Sequence, residues 1–293
     1  MTFHVGKDRR CCTPRHEKTI YYPSAFRISS IFIVTMCVVS GEIMKKKIIG
    51  LLCLGLGSSV SYAGFQNVGE AIGWRVGVAI ESEYAGYGKT DQPMWNVSPY
   101  ISYDWENFHL GADGLSYQFF KQEGLSLAAE VSPRWPSIEE SDSPLLTDID
   151  RDTALEAGLS GNYAIGRFYV NGAIRADISD VHNGHEFTLK VGRSMEFRGI
   201  NLDLAVGASY LDEKLNAHLY GVKNNEANVS RPAFYPKDSS VTFIEAKAFT
   251  LVGKNTQLLA IVGYKSYSSE IKKSPLIRHD GEGSVTLAII QPF

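Results

Sequence analysis

Five residues between positions 177 and 186, Asp177, Asp180, His182, His185 and Glu186, lie close enough in the chain to suggest a divalent-metal site. Carboxylates and imidazoles are suitable ligands. No i,i+4 helical pair and no Cys-x-x-Cys frame holds them, however, and a hydrated hairpin loop with Asn183-Gly184 at its tip is the simpler account. The acidic stretch 135–152 carries Glu139, Glu140, Asp142, Asp148, Asp150 and Asp152. Set against His182 it would offer an acid–base pair for hydrolysis, but that chemistry needs the groups within hydrogen-bond reach, which spacing does not provide. Of the remaining histidines only His109 falls well inside a predicted strand, on the face opposite Phe108 and Leu110. No nucleophile–base pair or cofactor motif emerges. The expectation is a protein without catalytic, metal or cofactor residues.

The elements that would position such groups are strands, and the amino-terminal part says where they fold. Residues 44–63 read as a basic Met-Lys-Lys-Lys start, an apolar stretch from Ile48 to Gly57, and small residues Ser61 and Ala63 at −3 and −1. That is a secretory signal with cleavage after Ala63, and it is too short for a membrane-spanning helix. Residues 1–43 fit no pattern that belongs before such a signal. A start codon assigned too early, with Met44 the true start, is the simplest account; a long leader is the alternative. All four cysteines, Cys11, Cys12, Cys37 and Cys53, precede the cleavage site. The exported domain, 64–293, must therefore be held together without disulfides. It carries 20 Lys+Arg against 29 Asp+Glu, a net charge of −9 with no basic stripe, which argues against a nucleic-acid partner.

Alternation with period two runs through this domain. Trp74, Val76, Val78 and Ile80 alternate with Arg75, Gly77, Ala79 and Glu81; Leu202, Leu204 and Val206 alternate with Asp203, Ala205 and Gly207. Segments of about ten residues with one apolar face and one face of charges, amides and glycines are the pattern of a transmembrane β-barrel. Aromatics sit at predicted strand ends (Trp74, Tyr84, Trp95, Trp105, Phe108, Tyr163, Tyr210), as interfacial girdles require. The final strand places Val285, Leu287 and Ile289 on one face and ends at Phe293. Closing strands of outer-membrane barrels commonly end this way, and such a strand implies the barrel-assembly machinery as a partner.

Short links at Glu106-Asn107, 122–124, 164–166, Arg198-Gly199 and 253–255 alternate with long ones at 85–95, 135–152, 179–184, 212–238 and 269–280. With Asp113-Gly114 as a tight hairpin turn, the reading is an all-β, antiparallel up-and-down barrel of twelve strands with both ends periplasmic; ten is the alternative. The lumen-facing set is then Arg75, Glu81, Glu156, Arg167, Arg175, Lys190, Asp203, Glu245 and Lys247. A barrel of this size leaves at most a narrow polar lumen. Outer-membrane lipid and anionic lipopolysaccharide, which either repels the acidic loop or is bridged to it by divalent cations, are the expected surroundings in a Gram-negative envelope.

Several short pieces, in order, carry a family likeness. They are Glu83-Tyr84-Ala85-Gly86, Val97–Tyr103, Asp142–Leu146, Glu156-Ala157-Gly158, Asp177–Asp180, His182-Asn183-Gly184, Tyr220-Gly221-Val222, Glu226-Ala227 and Ser274-Pro275-Leu276, with the Phe-ended strand. The chain resembles the MipA/OmpV family of outer-membrane proteins, named for the MltA-interacting protein. The resemblance implies a barrel without catalysis, which serves as a scaffold linking a murein transglycosylase to a peptidoglycan synthase. Other members are surface antigens or adhesins, which is the further alternative; the first alternative, from the mixed charges of the lumen-facing set, is a narrow channel for small polar solutes. No functional residue carries over from the resemblance.

Overall fold

The computed structural model describes residues 72–84, 86–87, 94–136 and 144–293. The segment expected to be a secretory signal, the region before it and Glu139, Glu140 and Asp142 lie outside the described residues. Twelve antiparallel strands close into one barrel in which each strand pairs with its neighbours in sequence and the last pairs with the first. They are β1 (Gly73–Tyr84), β2 (Met94–Trp105), β3 (Phe108–Gly111), β4 (Gly114–Gln122), β5 (Leu125–Arg134), β6 (Ala154–Ile165), β7 (Phe168–Asp177), β8 (His185–Phe197), β9 (Ile200–Leu211), β10 (Ser239–Val252), β11 (Thr256–Tyr267) and β12 (Gly281–Pro292). Among the described residues no helix is long and apolar enough to cross a bilayer.

Closure is by the same ladder as every other seam. β12 pairs with β1 from Arg75↔Pro292 to Tyr84↔Gly283, and Phe293 donates its N–H to the Trp74 carbonyl at 2.8 Å. The apolar face of each strand points outward: Val76, Val78 and Ile80 on β1 and Val285, Leu287 and Ile289 on β12 are all exposed. Gln291, the polar exception on that face, accepts from the Thr256 hydroxyl at 2.9 Å, which removes most of its cost. The exposed Trp95 and Trp105 mark the two ends of β2. At about 3.3 Å per residue and a tilt near 40°, their separation spans roughly 25 Å, the height of the lipid-facing band of such barrels. At the short-turn end neighbouring girdle rings touch, with Trp74 on Tyr103 at 5.0 Å and Phe108 on Tyr117 at 4.5 Å.

The short turns require left-handed backbone. Glu123 and Gly124 (φ 46° and 84°) and Arg198 and Gly199 (φ 52° and 79°) form two-residue links of the kind that matches strand twist. Two sequence expectations shift by a residue or two here. The β3–β4 turn is Ala112-Asp113 rather than Asp113-Gly114, and its arms are unequal at four and nine residues. Strand β6 runs on to Ile165, so Gly166 (φ 62°) and Arg167 make the turn; Arg167 is exposed at the rim and does not line the lumen.

The short β3 has a consequence for the wall. It pairs with β2 over Ser102–Trp105 only, and β4 pairs with β5 no further than Leu115↔Val131. Beyond that level, among the described residues, β2 from Met94 to Ile101 pairs with β1 alone and the end of β5 pairs with β6 alone.

A charge on the exterior should be far costlier than one inside. Leu287→Arg, near mid-height on the outward face of β12, is expected to lower unfolding free energy by about 2–4 kcal/mol in phosphatidylcholine vesicles. Thr286→Lys, one residue away and inward, is expected to cost less than half as much. Denaturant titration of both variants checks this.

Candidate functional site

The long links fold into a cap over the end opposite the short turns. Sequence reasoning treated 212–238 as an open loop, but Glu213–Tyr220 is a helix, α1. Asp212 caps it by accepting from the Leu215 N–H at 2.9 Å, and the Gly221 N–H closes it onto the Ala217 carbonyl. The signal was present: an Asp N-cap, apolar Leu215 and Leu219 at i and i+4, and a closing glycine. Leu215 and Leu219 pack with Tyr87, Leu146, Ile149, Val222, Ile271 and Leu276 into an apolar core built from four different links. Tyr87 follows β1, Leu146 precedes β6, and Leu276 precedes β12. Loops from opposite sides of the barrel therefore meet across the mouth.

Buried polar groups tie this core together. Arg151 is 6% exposed and makes a two-toothed pair with Glu226 at 2.7 and 3.1 Å, while donating to the carbonyls of His218 and Gly221. Arg231, 1% exposed, donates to the carbonyls of Leu145, Thr147 and Glu226. A planar guanidinium with several donors suits this clasping of separate loops, since each N–H finds a carbonyl that would otherwise be unsatisfied. Tyr87 stacks on Tyr220 at 5.7 Å and donates to the Leu219 carbonyl; the Ser274 hydroxyl donates to the Tyr220 carbonyl at 2.6 Å.

The five residues weighed as a metal site are sent to different places. Asp177 accepts N–H bonds from Ser179, His182 and Asn183, each at 2.7 Å, and so shapes its own loop. His182 turns inward, 3.2 Å from Glu156 and 5.3 Å from the His218 ring. His185 faces out and meets Asp212 at 3.0 Å, whereas Glu186 turns inward to Arg134. Asp180 takes positive φ (61°) in the turn. Among the described residues no group of three or more such side chains is placed to hold a metal.

Below the cap the inward face is a set of ion pairs. Arg134 spans Glu156 (2.6 Å) and Glu186 (2.5 Å), and Arg175 meets Glu130 at 2.7 Å. Lower down, Glu245 lies 3.0 Å from Lys247 and 3.9 Å from Lys190. Asp203 accepts from the Tyr169 and Ser194 hydroxyls, both at 2.7 Å. Arg75 pairs with Asp104 at 3.2 Å, and Asp104 also meets His109, which reaches Asp113 in turn. Of the nine candidates, Arg75, Glu156, Arg175, Lys190, Asp203, Glu245 and Lys247 thus lie in inward-facing networks. Glu81 is half-buried on the inward parity of β1, and Arg167 is the exception noted above. Sequence parity proposed these positions but could not name Arg134, Glu130 or Tyr169 as their partners, because pairing depends on register.

Two cap groups carry a pH signal. Burial, with His182 and Arg151 nearby, pushes His218 down to about 4. Although burial alone would raise it, Glu226 is held below the usual carboxylate range by its bonds to Arg151 and to the Lys223 N–H. A histidine depressed on folding binds its proton more readily when the cap is open, so stability is lost as pH falls from about 6.5 to about 4. The depressed carboxylate adds a further loss below its unfolded value. Amide protection factors across 213–226, which correct for the intrinsic slowing of exchange in acid, are expected to fall over that interval, and His218→Gln is expected to flatten the upper part of the profile.

Comparison with known proteins accords with this architecture. Residues 76–292 match the family model described as MltA-interacting protein MipA. The chain is 28% identical over 201 residues to the putative outer membrane protein YiaT of Escherichia coli K12, covering 67% of this chain and 80% of that one. It is 24% identical over 228 residues to the MltA-interacting protein of the same strain, covering 76% and 90%. Among solved structures, the Ralstonia pickettii toluene transporter TbuX aligns at a TM-score of 0.42 and 11% identity, covering 77% of this chain and 90% of that one. A closed twelve-stranded sheet, an apolar exterior and a match across nearly all of the barrel lead to one assignment: this chain is an outer-membrane β-barrel belonging to the MipA family.

Proposed function

We propose that the barrel is a non-conducting, non-catalytic scaffold of the outer membrane that engages a murein-processing enzyme at its periplasmic rim. The observation that carries this reading is the cap. Nine apolar side chains from four links, with Leu211, Val241 and Tyr267 from the ends of β9, β10 and β11, form a core across the mouth, clasped by Arg151 and Arg231, a poor arrangement for free solute passage. The ion pairs beneath it include several that join strands not adjacent in the ladder, as Arg134 of β5 joins Glu186 of β8 and Arg175 of β7 joins Glu130 of β5, which is a further obstacle to passage. The kinship with a protein named for its interaction with MltA supplies the class of partner.

The rim has the chemistry for such contact, though little area at any one turn. Glu106, Glu123, Arg167, Arg198 and Lys254 project from separate links of two or three residues. Arg193 and Arg198 lie over the rings of Phe168 and Phe197 at 5.3 and 5.2 Å. A standard interface needs roughly 800 Å² per partner, so an enzyme would have to sit across several turns at once. A narrow channel is the second reading, favoured by the mixed charges inside. Surface attachment through the tip of 228–235, where Val229 and Tyr235 are exposed, is the third.

Planar-bilayer recordings of the refolded barrel are expected to show no unitary conductance at neutral pH; resolved steps would favour the channel. Capture of a soluble lytic transglycosylase by the reconstituted barrel is expected to fall about tenfold in the triple variant R167E/R198E/K254E, since rim charges govern encounter. The cap variant V229A/Y235A should bind as the parent does. No capture by either protein would end the scaffold reading.

A further inference from the structure

One charge stands on the lipid side of the wall. Parity and register turn every other Lys, Arg, Asp and Glu of the described strands inward, but Arg193 of β8 shares its face with the exposed Leu189, Val191 and Phe197. Across the ladder it opposes Phe168 of β7 and Leu204 of β9, both also outward and exposed. His185, at the far end of the same face, is engaged by Asp212. Arg193 is not a turn residue, and a soluble protein would have to displace lipid to reach it.

A guanidinium in hydrocarbon is costly, and the cost falls toward the interface. Phe168 is the first residue of β7, so its partner Arg193 lies at the level of the short-turn girdle. The guanidinium carbon sits over the Phe168 ring, 5.3 Å from its centre. The π face fixes the position of the cation and leaves it N–H donors for an anion. Among the described residues no carboxylate pairs with it.

The surroundings are cationic as well. The Ser194 N–H donates to the Arg167 carbonyl at 2.8 Å, which sets the β6–β7 turn and its arginine beside this stretch of β8. Arg198 lies over the Phe197 ring at 5.2 Å, and neither arginine forms an ion pair among the described residues. Two acids are near. Glu196 has inward parity, opposite Asn201, and Glu123 belongs to the next turn round, whose Gly124 carbonyl accepts from the Ala164 N–H. One step further from the turns, Val170, Val191 and Val206 form an exposed row in register with each other. A phosphate head above an apolar track is what this combination fits, since a guanidinium holds phosphate oxygens with paired N–H bonds. We propose that Arg193, placed by Phe168 and flanked by Arg167 and Arg198, binds the phosphate of an anionic phospholipid in the leaflet at the short-turn end, with an acyl chain lying along the valine row.

The test is native mass spectrometry of the refolded full chain in detergent micelles, titrated separately with phosphatidylglycerol, phosphatidylethanolamine and phosphatidylcholine. One phosphatidylglycerol is expected to bind ahead of either other lipid. Arg193→Gln should weaken that first binding about fivefold, the share of one arginine at an anionic surface. Arg193→Lys keeps the charge but loses the planar fork, and its affinity should fall between those of the parent and the glutamine variant. Lys214→Gln removes an exposed charge from α1, at the opposite end, and should bind as the parent does. Heat-modifiable migration in gels checks that each variant closes into a barrel. Equal binding of the three lipids would overturn the site, as would an Arg193→Gln variant that binds phosphatidylglycerol like the parent. A loss as large in Lys214→Gln would reduce it to general attraction and overturn it too. So would weaker transglycosylase capture by Arg193→Gln with lipid binding untouched, because the arginine would then belong to a protein contact. The lipid titration contains no murein enzyme, so its failure leaves the scaffold role standing.

Discussion

Backbone hydrogen bonding in the absence of water is the constraint from which the rest of this molecule follows. A peptide group in hydrocarbon has no solvent to fall back on, and each unsatisfied N–H or C=O there costs several kcal/mol. A sheet meets that demand only by closing on itself, and the ten-residue β1–β12 seam does so. Once the ladder is closed, side-chain parity is forced: one face meets lipid and the other meets the lumen. The apolar exterior and the buried inward charges are two sides of one geometric fact.

Inward charges then have to be reconciled with burial. Removing one partner of a buried pair is usually far more damaging than never having had the pair. The lumen is accordingly organised in groups, with Arg134 between two glutamates and Glu245 between two lysines. Such groups couple strands that are not adjacent in the ladder, as when Arg134 of β5 reaches Glu186 of β8. They add rigidity that the hydrogen-bonded wall alone would not have. The cap repeats the device with arginines that clasp loops.

Strand count, face assignment and turn positions were legible in the sequence because each is a local, periodic property. Alternation along β1 or β9 needs no tertiary information, and the turn glycines announce themselves. Arg167 was misplaced because parity was continued one step past the end of a strand, where the turn cancels it. The cap was not legible. Tyr87, Leu146, Tyr220 and Leu276 look like scattered apolar residues in hydrophilic links, and only the closed barrel brings their loops together. The short pieces that carry the family likeness belong largely to this cap, including Leu146, Tyr220, Val222, Glu226, Ser274 and Leu276. The likeness was therefore visible before its physical reason was.

The seam between β1 and β12 also sets an order of events. Every other pair joins neighbours along the chain, so it can zip as soon as its second strand arrives. This one joins the first strand to the last, across more than 200 residues of polymer. Until it forms, the growing ribbon has two raw margins, each able to capture a stranger. Biogenesis is thus a race between ring closure and misassociation, and its slowest contact is the one whose loop-closure entropy is greatest.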